Sequence, residues 1–153
     1  MPSKIIYCIF ILLTGCASGV AEVQPNRIIE DFYRLPTSDQ LKAFKTHSFE
    51  EQYDLFLFGN QTVHPPAVYL ARPFAEQGAS IVPFLKGKLI ATRDETTIRD
   101  IITIFSELSH LKLYNFPKDA QLLDLLEQEA NSMQGIWKDT TIKMVANIRV
   151  IVH

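Results

Sequence analysis

Between residues 26 and 152 the chain is a succession of short stretches in which apolar residues recur every three or four positions. Prolines, glycines and capping residues separate them. A period near 3.6 residues places those side chains on one face of a helix, which must then be covered by a neighbour. Ile28, Ile29, Phe32 and Leu35 mark the first stretch, over residues 26–35, and Pro36 stops it. Thr37-Ser38-Asp39-Gln40 offers a capping box in front of Leu41 and Phe44. Ser48-Phe49-Glu50-Glu51 offers a second, in front of a helix over Phe49–Phe58, with Gly59-Asn60 as a left-handed exit. Pro65-Pro66 can open a helix through Val68, Leu70, Ala71 and Phe74 to Gly78, with a kink at Pro73.

Four further segments follow. Ser80–Ile90 turns Phe84, Leu85 and Leu89 inward. Glu95–His110 carries Ile98, Ile101, Ile102, Phe105 and Leu108 on one face, with Arg99, Asp100, Ser106 and Glu107 away from it. Asp119–Met133 is rich in strong helix formers. Ile136–Val152 spaces Trp137, Thr141, Met144, Val145, Ile148 and Ile151 helically, although its β-branched end also suits a short strand. The expectation is an all-α fold: an irregular bundle or short stack of about seven amphipathic helices, forming one domain over 26–153. Residues 80–89 with 97–105 loosely resemble one HEAT-type helix pair, but no second copy follows at a period of roughly 40 residues.

Composition removes several classes. With 47% hydrophobic and 21% charged residues the chain is neither collagen-like nor disordered. A formal charge of −2, from 15 Lys+Arg and 17 Asp+Glu, lacks the basic excess of a nucleic-acid binder, so no nucleic-acid partner is expected.

The amino terminus reads as an address. Lys4 is followed by nine apolar residues, Ile5 to Leu13, too few for the roughly 20 that span a bilayer but matched to the core of a secretory signal. Leu13-Thr14-Gly15-Cys16 comes next and resembles the lipobox of bacterial lipoproteins. The resemblance covers residues 1 to about 19. It implies that residues 1–15 are removed as a signal peptide, that Cys16 is lipidated, and that 16–25 form a spacer between lipid and fold. It further implies membrane anchoring in the cell envelope. In a Gram-negative cell, Ala17 in place of the Asp that retains such proteins in the inner membrane implies the periplasmic face of the outer membrane; in a Gram-positive cell that distinction does not arise. Anchoring of this kind needs more than one acyl chain, since each buried methylene contributes ~0.8 kcal/mol and one chain holds only marginally. Cys8 would leave with the signal, so the mature chain would keep no free thiol.

Candidates for chemistry are sparse. His47, His64, His110 and His153 share no helical spacing, so no metal site and no cofactor are expected. Ser109-His110-Leu111-Lys112 has the spacing of a Ser-x-x-Lys pair without the companion elements of that chemistry. Lys86-Gly87-Lys88 lacks a phosphate-binding loop. Glu50-Glu51 and Asp94-Glu95 suit helix starts, Glu30-Asp31 a solvated face, and Asn60-Gln61-Thr62 a polar loop. Phe44, Phe49, Tyr53, Phe56 and Phe58 crowd one stretch, as expected for the central helix of a bundle. Tyr53 and Phe58, bordered by His64, are also the candidates for a partner-binding patch. With no assembled catalytic residues, the expected function is a lipid-anchored, non-catalytic protein-binding module, with an inhibitor or immunity-type protein as a sub-case. The alternatives are an envelope hydrolase using carboxylates from different helices, or a purely structural envelope component.

Overall fold

The computed structural model describes residues 25–150. The signal segment, Cys16 and its spacer to residue 24, and residues 151–153 including His153, lie outside that range. Among the described residues there are eight α-helices, three short 3-10 turns and no strand. The helices are α1 (Pro25–Tyr33), α2 (Thr37–Phe44), α3 (Phe49–Gln61), α4 (Ala71–Ala75), α5 (Val82–Ala91), α6 (Glu95–His110), α7 (Ala120–Ser132) and α8 (Lys138–Val150). None is long and apolar enough to cross a membrane.

Helix starts follow the local chemistry of orphan N–H groups. Ser48 forms the capping box with Glu51, its side chain accepting from the Glu51 N–H while Glu51 accepts from the Ser48 N–H. Asp94 and Asp119 cap α6 and α7, accepting from the N–H groups of Thr97 and Leu122 at 2.7 and 3.0 Å. The box expected at Thr37-Ser38-Asp39-Gln40 does not form. Pro36 holds the cap position without a side-chain bond, and Thr37 is already helical. Proline's fixed φ leads the chain straight into the turn, while Gln40 is buried and donates back to the Leu35 carbonyl instead. α6 closes in a Schellman motif, Leu113 N–H to Leu108 O and Lys112 N–H to Ser109 O, with Lys112 at φ 55°.

One contiguous apolar core runs through the bundle. Its hub is α6, packed by α3, α4, α5, α7 and α8. The aromatic-rich α3, expected at the centre, instead packs between α1, the Val68–Leu70 turn and α6. The reason is α6 itself: Ile98, Ile101, Ile102, Ile104, Phe105 and Leu108 are all buried, so it is apolar over more of its circumference than one stripe.

Gly59 does not end α3. The helix continues to Gln61, and a Cβ on Gly59 would lie 1.8 Å from the Tyr33 hydroxyl and 2.7 Å from the Ala67 Cβ. The glycine permits close packing of three segments, and Tyr33 uses the space to donate to the Leu55 carbonyl at 2.7 Å. Pro73 kinks nothing, because α4 begins only at Ala71 and the proline falls in its first turn. The last helix persists to Val150, so no strand forms over the described part of the carboxy-terminal segment.

Candidate functional site

Where α3 ends beside the start of α6, and the loop into α8 passes in front, the surface opens into a cleft of about 710 Å³. Its polar floor is Asn60, Gln61, Thr97 and Arg99; its apolar wall is Pro66, Val68, Trp137 and Met144. Asp94, His64 and Thr140 stand among the remaining lining residues. A concave site with an apolar wall and a few converging polar groups has the make-up of a ligand or partner pocket.

Asp100 organises the floor. It has no solvent exposure, although the sequence pattern places it on the polar face of α6. Burial is made tolerable by donors from two helices. Asn60 Nδ2 and Gln61 Nε2 reach it from α3, the latter at 2.9 Å, and Arg99 gives both Nε, at 2.9 Å, and Nη2. Burial pushes the Asp100 carboxyl above the ordinary aspartate value, while the bonds from Gln61, Arg99 and Asn60 pull the other way. Arg99, thus held, lays its guanidinium 4.4 Å from the centroid of the Trp137 ring. That cation–π contact fastens the loop before α8 onto α6. Glu95 fastens the same loop again, accepting from the N–H groups of Gln134 and Gly135 at 2.6 and 2.7 Å.

The uncommitted groups define what the cleft can do. Among the described residues Arg99 Nη1 makes no bond to Asp100, and Asn60 Oδ1 is buried with no partner. Of the two carboxylates, Asp94 caps the start of α6 and Asp100 lies within it. Asp94 accepts from the Thr97 N–H, which with the Thr97 hydroxyl holds it below the ordinary range, and Asp100 is saturated. The arrangement can grip hydrogen-bonding groups; it does not present a free acid facing a free base.

The sequence candidates divide. His64 is exposed and lines the cleft. Phe58 is 38% exposed but leans on Tyr33, with ring centroids 5.7 Å apart, and does not line the cleft. Tyr53 is core: it is buried edge-on against Phe84, with the Lys88 ammonium 4.8 Å from its ring. Burial pushes its hydroxyl up to about 12. Ser109 is buried with its hydroxyl unpartnered, while Lys112 lies in the exposed helix exit, so the Ser-x-x-Lys pair is not assembled. Asn60 sits inside α3 and is buried, not in a polar loop.

Asp100, Ser106 and Trp137 are residues that the helical pattern misassigns, Ser106 being buried although its spacing places it away from the apolar face of α6. Trp137 precedes α8 and stands 38% exposed at the cleft instead of joining that helix's apolar stripe. A signal for Asp100 exists in the column Asp100, Ile104, Leu108, at i, i+4 and i+8, which places the carboxylate in line with two buried side chains. No protein-family model, no curated protein and no solved structure matches the chain.

Proposed function

We propose that this chain is a lipid-tethered, non-catalytic protein-binding module of the cell envelope, and that its partner docks in the cleft between α3, α6 and the loop into α8. The observation that carries the docking reading is the stacked Arg99–Trp137 pair, pre-ordered by Asp100 and bordered by apolar side chains. Arginine and tryptophan are the residues that dominate protein interfaces when they stand in a well-packed, partly desolvated centre. Val68 on the cleft wall is 57% exposed and Ile136, the chain neighbour of Trp137, 87%, apolar surface that a partner would cover. The hydrolase alternative draws no support from the cleft, because Asp94 and Asp100 come from one helix and are both bonded. The tether rests on the resemblance of Leu13-Thr14-Gly15-Cys16 to a lipobox.

Two experiments test the two halves. Cys16→Ser should move the protein from the membrane to the soluble fraction of lysed cells; continued sedimentation with the envelope refutes the tether. A photo-crosslinker at Thr140, in the cleft, should capture one protein neighbour at native expression. The same group at Gln128 on α7, outside the cleft, should not. Equal capture from both positions, or none from Thr140, refutes the docking site.

A further inference from the structure

We infer that the occupant of the cleft is an extended stretch of peptide without carboxylates, gripped through its amide groups by the floor and through an aliphatic side chain by the wall. This rests on the docking reading above and specifies what the partner presents there.

Charge balance carries the first step. Arg99 and Asp100 neutralise each other inside the protein, while Asp94, which caps α6 through the neutral Thr97 N–H, keeps its negative charge at the cleft. A carboxylate entering the cleft would leave water, meet no unpaired cation and face Asp94, and burying a charge without a partner costs far more than burying an amide. Hydrogen-bond inventory carries the second. Arg99 Nη1 is an unfilled donor and Asn60 Oδ1 an unfilled acceptor. The Thr140 hydroxyl, which can do both, lines the same space. A group that both donates and accepts suits this set, and the peptide unit is one.

The wall carries the third. Pro66, Val68, Trp137 and Met144 offer hydrocarbon and sulfur surface directly beside the polar floor. An extended peptide alternates amide edges with apolar side chains and so matches both surfaces at once.

The test uses the chain's single tryptophan, Trp137, whose indole N–H gives one resonance in the NMR spectrum of the full-length protein in detergent micelles. Four probes are titrated. N-acetyl-leucinamide is neutral, leucinamide cationic and N-acetyl-leucine anionic around the same side chain; N-acetylglucosamine is the saccharide. N-acetyl-leucinamide and leucinamide should each shift the indole resonance at about tenfold lower concentration than the anionic N-acetyl-leucine, a preference equivalent to ~1.4 kcal/mol. Arg99→Leu should abolish that shift. Val68→Ala, on the exposed rim where folding is not at stake, should weaken it severalfold.

Equal or better binding of N-acetyl-leucine than of the other two leucine probes overturns the inference while the docking reading stands on its cross-links. A preference for N-acetylglucosamine overturns it in favour of a saccharide occupant. An indole resonance that no probe moves overturns it too. Loss of the Thr140 cross-link, by contrast, removes the docking reading itself.

Discussion

Removing the Asp100 carboxylate should be among the most damaging single changes available to this fold. Asp100→Ala takes the acceptor away from Asn60, Gln61 and both nitrogens of Arg99, and leaves a guanidinium whose side chain is only 14% exposed without a counter-ion. Breaking a buried pair by removing one partner costs ~3–5 kcal/mol. Domains of this size are stable by ~5–15 kcal/mol, so the variant should fold but sit close to the edge. With a urea dependence of ~1–3 kcal/mol per molar, a ~4 kcal/mol loss lowers the midpoint by ~2 M. Circular dichroism of helix content against urea reads this directly.

The double variant Arg99→Met/Asp100→Leu supplies the decisive comparison. It removes both charges and fills the space with hydrocarbon, so it should recover most of the loss, to within ~1.5 kcal/mol of the parent. It should do so while losing the Trp137 contact and the cleft floor. If Asp100→Ala costs less than ~1 kcal/mol, the carboxylate is solvated and the proposed floor does not exist. If the double variant is no better than the single, the penalty comes from packing and not from an orphaned charge.

Three further outcomes are expected. Gly59→Ala should destabilise by about 1–3 kcal/mol in thermal or urea unfolding, because overpacking against Tyr33 and Ala67 outweighs the gain in helix propensity. Gly87→Ala should do the opposite, raising stability by about 0.5–1 kcal/mol, since Gly87 lies inside α5 with open space where the methyl would go. Acid should weaken the fold through Glu51, Asp94 and Asp119, each held below its ordinary value. For Glu51 and Asp94 the main cause is hydrogen bonding to Ser48 and Thr97 respectively, and for Asp119 the Tyr114 hydroxyl. A carboxyl depressed in the folded state contributes stability that is fully present above about pH 4 and lost as pH falls through the lowered value. Asp100 is raised, so its own protonation favours the folded state as pH falls. Urea midpoints should therefore drop below about pH 4 in the parent. A midpoint that stays flat or rises on acidification would contradict this assignment.

The helices were largely legible from residue order, because a helix start is a matter of three or four consecutive residues. Ser48 reaches the N–H of Glu51 and Asp94 that of Thr97 whatever lies beyond the turn. The same locality explains why α6 begins at Glu95 and ends at His110, the bounds that its apolar spacing indicates. Residue order alone thus sufficed for an all-α architecture and for the limits of most of its helices. Only the packed structure decided which polar groups leave water. Asp100 is buried because α3 happens to bring Asn60 and Gln61 against it, 40 and 39 positions away along the chain. Gly59 is a contact and not a terminus because Tyr33 and Ala67 close on it, and Trp137 faces a cleft because Arg99 waits beneath it. Capping energies act between neighbours in sequence, whereas desolvation depends on neighbours in space, and for this chain the candidate site is made almost wholly of the second kind.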